Sequence, residues 1–268
     1  MVTRDAPERT TGDIIASIAG RVPMRNLHSQ VLWQLGVAIV GGDYPEGTIL
    51  PSDTELLARF AVSRTVLREA LKTLAAKGMI EARARIGTRV LPRSRWNLFD
   101  SDVLAWHFET GPDVELLRSL AEIRIGVEVE SAALAAERRS DAQAEALLAI
   151  AASMGEAKTP EEFARTDLAF HRTVAEASGN PFMASVSALV ELALTAAFTI
   201  SSPVEDAALT AATVKSHSRI AAAIKAGNAE EARAAMKSVI TEGFARASGR
   251  MAEGKRKHPE WFKGDPAA

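Results

Sequence analysis

The 268-residue chain has no cysteine. Disulfides, thiolate zinc sites and a cysteine nucleophile are therefore excluded. Aromatic residues make up only 5% of the sequence, which argues against a platform for stacking single-stranded bases. No apolar run reaches the ~18 residues of a membrane span. The N-terminal stretch carries Arg4, Asp5, Glu8 and Arg9 without an apolar segment, so it does not read as a secretory signal. A soluble, cytoplasmic protein with no membrane partner is expected. An overall excess of charge is missing too: 32 basic face 34 acidic side chains, a net of -2, which by itself offers no case for a nucleic-acid partner. What is present is a hydrophobic fraction of 47%, enough to fill a core, on a length that suits one large domain or two small ones.

The charge is unevenly placed. Up to Arg95 there are 14 basic and 9 acidic side chains, and from Trp96 onward 18 and 25. Residues 60–95 hold nine basic side chains (Arg64, Arg68, Lys72, Lys77, Arg83, Arg85, Arg89, Arg93, Arg95) against Glu69 and Glu81. Such density fits a phosphate-binding footprint, and equally a solvated helix-and-hairpin surface.

Hydrophobic spacing and breakers predict a mainly α protein in five parts. Residues 1–25 form an arm with at most one short helix near Ile14–Ala19. Residues 26–92 hold three helices and a β-hairpin. The first helix ends at Gly41-Gly42, Ser52-x-x-Glu55 is a capping box for the second, and Ser63 caps the third. Two extended runs joined near Gly87 complete a winged helix-turn-helix plan. Residues 93–111 link this part to an antiparallel all-α bundle at 112–250, and 251–268 are a tail. In the bundle, Pro112 opens a long helix, Asp141 caps the next, and Thr159-Pro160-Glu161-Glu162 starts another. Further helices begin at Pro181 and Asp206, and the last ends near Gly249.

A recognition helix must offer its first turn to the major groove while its other face stays buried. The third helix opens Ser63-Arg64-Thr65-Val66-Leu67-Arg68, placing Arg64 and Arg68 four apart on one face and leaving Val66, Leu67, Ala70 and Leu71 for the core. Arginine can bond guanine O6 and N7 together, Ser63 and Thr65 can meet phosphates, and Gly87 lets a wing approach the backbone. Ordinary surface arginines are the bland alternative. The run Leu50-Pro51-Ser52-Asp53-Thr54-Glu55-Leu56, followed by Val62–Leu71, resembles the DNA-binding signature of the GntR superfamily. That resemblance implies contacts to double-stranded operator DNA from Ser52, Ser63, Arg64, Thr65, Arg68, Arg85 and Gly87. Thr54 departs from it, standing where the family often has arginine.

In the helical part, Asp167 and His171 are four apart on one stripe, and His217 lies on the apolar stripe of a later helix. A carboxylate and two imidazoles aimed into a bundle can bind a divalent metal; a structural Asp–His hydrogen bond beside an unrelated core histidine fits the spacing too. Arg124, on the edge of an apolar stripe, can clamp a carboxylate or pair with Glu122 or Glu128. Residues 115–245 resemble the FCD effector domain of the FadR branch through Glu122-Ile123-Arg124, Asp167–His171, Gly179-Asn180-Pro181 and Ser216–Ile220. The resemblance implies a metal, zinc above others, on Asp167, His171 and His217. It also shows the fourth ligand position occupied by Val239. Arg124 is implied to hold an acidic effector, and Asn180 and Thr195 are expected to meet its hydroxyls. The linker run Trp96-Asn97-Leu98-Phe99-Asp100-Ser101-Asp102-Val103-Leu104-Ala105-Trp106 is similar to that of sugar-acid regulators in the same family.

The implied protein is a homodimeric repressor, not an enzyme. It would control sugar-acid genes of the galactonate type and leave its operator when an aldonate binds. Lactate, another small organic acid or a fatty acyl ligand is the alternative effector. A metal-dependent hydrolase tethered to DNA is the remote alternative function.

Overall fold

The computed structural model describes residues 26–111, 114–187, 195 and 202–257, with side chains as far as Arg250. The chain divides into two compact units, Met1–Pro112 and Asp113–Ala268. The expected short helix at Ile14–Ala19, the opening at Pro112, most of the helix after residue 187 and the end of the tail lie outside the described residues.

In the first unit, α1 spans Leu27–Gly41 and ends in a left-handed Gly42 at φ 92. Helix α2 spans Asp53–Phe60, with the Ser52–Glu55 capping box complete. Ala61 turns the chain tightly in a left-handed conformation, and Ser63 caps α3, Arg64–Ala76. Strands β1 (Ile80–Arg83) and β2 (Gly87–Val90) pair antiparallel with Ile80 opposite Val90. Three helices and a hairpin surround Leu35, Leu56, Leu67, Leu74, Met79 and Val90, as the spacing predicts.

The stretch expected to link the domains belongs to this unit's core. Asp100 caps α4, Ser101–Glu109, and Trp96, Val103 and Trp106 join the cluster around Leu35. Trp106 lies flat against Gly36 of α1, where an added Cβ would come within 2.4 Å of its ring. Lys77, just past α3, reaches Asp100 at 2.7 Å and Asp102 at 2.9 Å. These contacts make 93–111 a structural part of the first unit.

The second unit is a helical bundle: α5 (Val114–Arg138), α6 (Asp141–Ser153), α7 (Pro160–Ala177), a helical stretch at 181–187, α8 (Ala207–Ala226) and α9 (Ala229–Lys257). Helix α5 packs against α7, α8 and α9, and α6 against α7 and α8. Ala132, Ala135, Ala136, Ala151, Ala221 and Ala232 are fully buried among Leu147, Phe170, Ile220 and Met236, so small side chains let the helix axes approach closely. Ser140, rather than Asp141, is the N-cap of α6, in a capping box with Gln143. Helix α9 does not stop near Gly249; it runs through Gly249 and Gly254 to Lys257. Glycine ends a helix only where the chain also turns into the left-handed region, and neither glycine does so here.

Candidate DNA-reading face and buried polar site

The opening of α3 has the two-faced character that the sequence suggests. The Ser63 hydroxyl accepts the Val66 N–H at 3.3 Å. Leu67 and Ala70 are buried, while Ser63, Arg64, Thr65 and Arg68 face solvent. The Ser52 hydroxyl sits in the capping box, 2.7 Å from Glu55 Oε2. At the hairpin tip Arg85 adopts φ 64 and Gly87 φ 116. Arg85 is exposed, as is Ile86 beside it.

Several of the nine clustered cations serve the unit itself. Lys77 is buried, Lys72 pairs with Glu69 and Arg83 with Glu81. Arg89 donates to the Gly47 carbonyl at 3.1 Å. Arg93 lies 3.8 Å from Glu46. Arg64, Arg68, Arg85 and Arg95 are exposed and hold no ion pair among the described residues. Apart from Arg95, which follows the hairpin, the open positive charge coincides with the first turns of α3 and the wing.

The second unit brings Asp167 and His171 of α7 together with His217 of α8. All three are at most 4% exposed, and their ligand atoms lie within 4.8 Å of one another. His217 Nδ1 donates to the Thr213 carbonyl at 2.8 Å, which turns Nε2 toward the cluster. Nε2 lies 2.8 Å from Asp167 Oδ1, and both atoms are buried with no other hydrogen-bond partner among the described residues.

Sequence spacing did not place Glu128 in this site. It is 4% exposed, it accepts from Arg124 Nε at 2.7 Å and Nη2 at 3.1 Å, and its Oε2 is 2.7 Å from His171 Nδ1. Arg124 is therefore engaged in a buried, bidentate ion pair with Glu128, one of the two readings its sequence context allows. The legible signal was the four-residue spacing of Arg and Glu within an otherwise apolar, alanine-rich helix.

Burial would raise the Glu128 pKa, but Arg124 and His171 outweigh it and pull it down to about 2. Burial would likewise raise Asp167, and the two histidines hold it far below the carboxylate range. Burial opposes charge on His171, but Glu128 and Asp167 together push it up to about 9, against Arg124. A proton on His171 Nε2 would face Arg124 Nη2 at 3.3 Å, donor against donor. A carboxylate oxygen and two imidazole nitrogens, buried and within 4.8 Å of one another, are a donor set that fits a divalent metal.

Val239 is buried in the apolar core and offers no ligand. Asn180 acts in a turn: its Oδ1 accepts the Phe182 N–H at 3.0 Å, capping the helical stretch at 181–187. Thr195 is helical and buried, but the residues flanking it lie outside those described.

A winged helix-turn-helix followed by a helical bundle with a buried polar site defines a DNA-binding regulator with a sensory unit. Residues 27–90 match the bacterial regulatory proteins of the gntR family, and residues 119–242 match the FCD domain. The chain belongs to the GntR family of transcriptional regulators, with an FCD domain as its second unit. It is 38% identical over 62% of its length to the uncharacterized HTH-type transcriptional regulator YieP of Escherichia coli, covering 73% of that protein. It is 34% identical over 60% of its length to the galactonate operon transcriptional repressor of the same organism, covering 71% of it. A solved structure of Lar, which controls the agr system of Listeria monocytogenes, shares the fold at a TM-score of 0.60 and 20% identity, over 83% of this chain and 97% of that one. These relatives are regulators, not enzymes. Among the described residues, no helix is long and apolar enough to cross a membrane.

Proposed function

We propose that the protein is a cytoplasmic, homodimeric repressor that a sugar acid of the aldonate class releases from its operator. The observation that carries the effector class is the 34% identity to a galactonate operon repressor. Arg64 and Arg68 read guanine edges in the major groove. Ser52, Ser63 and Thr65 meet phosphates, and the wing at Arg85 and Gly87 follows the neighbouring backbone. Two recognition helices at fixed spacing require two copies of the chain and a two-fold operator.

Asp167, His171 and His217 hold a divalent metal, zinc above others. Val239, at the position of a fourth side chain, offers no ligand atom, so these three residues alone would hold the metal. When bound, it supplies a Lewis acid for an oxygen of the effector. Arg124 orients Glu128, and Glu128 in turn orients His171 for its part in the site. Asn180 and Thr195 remain the proposed hydroxyl contacts of the effector.

The test is a gel shift on DNA upstream of the protein's own gene, with and without D-galactonate. Arg64→Ala/Arg68→Ala is expected to lose at least a hundredfold in operator affinity, because each bidentate base contact contributes roughly 1–3 kcal/mol. Release by D-galactonate supports the effector class. Release by lactate or a fatty acyl thioester, with no response to D-galactonate, would replace it.

A further inference from the structure

A groove of about 630 Å³ opens on the second unit, between the connection from α6 to α7 and the first turns of α8. Its floor is made of small aliphatic groups. Ala157, Val204 and Val214 pack against the bundle core, and Ala207 and Ala211 stand one turn apart on the exposed side of α8. Gly155 brings no side chain across it. The core thus fixes the floor, and nothing bulky rises above it. None of Asp167, His171 and His217 lines this groove, so it is separate from the buried polar site.

Two cations complete the lining: Lys158 on the α6–α7 connection and Lys215 on α8. Surface cations elsewhere in the unit, such as Arg118, Arg172, Arg219, Lys225 and Arg233, pair with acids. Lys158 and Lys215 form no ion pair among the described residues. The nearby acids have other partners. Glu162 Oε2 accepts the backbone N–H of Lys158 at 2.7 Å, and Asp206 Oδ1 caps α8 by accepting the Leu209 N–H at 3.0 Å. The Thr210 hydroxyl donates to the Pro203 carbonyl at 2.8 Å, which leaves its oxygen only to accept.

An apolar floor edged by open lysines suits an amphipathic anion, because a lysine stem can lie along apolar surface while its ammonium stays at the rim. The shape narrows the class. An open floor covers one face of a ligand, and a planar ring buries half its surface simply by lying on it. A flexible alkyl chain gives up rotamer freedom for the same contact and gains full burial only in a closed tunnel.

We propose that this groove is a second ligand site, for a planar aromatic carboxylate. The ring lies on Ala157, Ala211 and Val214. The carboxylate meets Lys158 and Lys215, and a ring hydroxyl or N–H donates to Thr210 Oγ1. The inference goes beyond the effector reading above and is independent of it.

Calorimetric titration of the full-length protein tests it, with 6-hydroxy-2-naphthoate, the corresponding neutral amide, 2-naphthoate and octanoate as probes. Wild type, Lys158→Gln/Lys215→Gln and Ala211→Phe are compared. Wild type is expected to bind the hydroxynaphthoate about tenfold more tightly than the amide, since the amide forgoes hydrogen bonds between charged groups. It should bind 2-naphthoate, which has no donor for Thr210, more weakly than the hydroxynaphthoate. Lys158→Gln/Lys215→Gln should lose the preference for acid over amide and bind the amide as before. Ala211→Phe lays a ring of the protein's own on the floor and should abolish binding of both. The three substituted side chains are exposed, so melting temperatures should match wild type. Hydroxynaphthoate binding that survives in both variants overturns the proposal, because the ligand then sits elsewhere. Equal binding of acid and amide by wild type overturns the role of the lysines. Octanoate bound as tightly as the naphthoates overturns the planar ring. Absence of hydroxynaphthoate binding by wild type overturns the site itself, and all four results leave the sugar-acid reading standing.

Discussion

A carboxylate in a protein interior is destabilising unless positive charge and hydrogen bonds surround it. Glu128 meets that condition through two bonds from Arg124 and the approach of His171. Glu128→Ala leaves Arg124 buried and without its counter-ion, and is expected to lose about 3–5 kcal/mol in chemical denaturation. Burial would raise the Glu128 pKa, but Arg124 and His171 bring it to about 2, below its ordinary value. A carboxylate depressed on folding stabilises above its ordinary pKa, and that stability is lost as pH falls toward the folded value. Chelator-treated wild type should therefore lose stability progressively from near the ordinary glutamate value down to about 2. Glu128→Gln should lack this component. His171 works in the opposite direction, with its pKa pushed up to about 9 against burial by Glu128 and Asp167. A metal must displace that proton. Apparent zinc affinity, measured by competition with a chelating dye, should rise about tenfold per pH unit above neutrality and level off near pH 9. In Glu128→Gln the plateau should move down, toward the ordinary histidine value.

At the scale of elements, the contact between α1 and α4 depends on one missing methyl group. Gly36 has no Cβ, and the Trp106 ring occupies that space at 2.4 Å. Gly36→Ala forces the indole or the whole of α4 to move. Overpacking of this kind costs about 1–3 kcal/mol, readable as a lower melting temperature of the first unit. The helices themselves were largely legible: Ser52-x-x-Glu55, Ser63 and Thr159-Pro160 carry local capping chemistry, and all three caps form. What the sequence left open depends on distant partners. The tryptophans of 93–111 announce burial, but periodicity cannot say which unit receives them. Gly249 and Gly254 look like stops, yet a stop requires the chain to reverse, and α9 continues. Asp167, His171 and His217 were legible because spacing and apolar stripes placed them inward together. Glu128 was read only as one possible partner of Arg124, because a charge on a helix defaults to solvent in any local reading. Its place beside His171 comes from α7, far along the chain.

For the molecule as a whole, the near-zero net charge joins a basic reading unit to an acidic sensing unit. Of the nine basic side chains in 60–95, Arg64, Arg68, Arg85 and Arg95 remain open, while Lys77 is held by Asp100 and Asp102. The footprint available to phosphates is thus narrower than a count of charges suggests, and its members should behave differently. Each phosphate neutralised adds about 0.9 to the slope of log affinity against log salt concentration. On the proposed assignment, Arg85→Ala removes a contact to the DNA backbone. In a dimer it should flatten that slope by about two and weaken operator and scrambled DNA alike. If Arg64 reads a base as proposed, Arg64→Ala should weaken the operator far more than scrambled DNA. Lys77→Ala removes no contact to DNA but breaks two ion pairs within the unit, so it should lower the melting temperature and leave the slope unchanged. Fluorescence anisotropy across a salt series, with both DNAs and all three variants, separates these outcomes. A slope change in Lys77→Ala without loss of stability would return the buried lysine to the DNA-binding surface and refute this division of the charges.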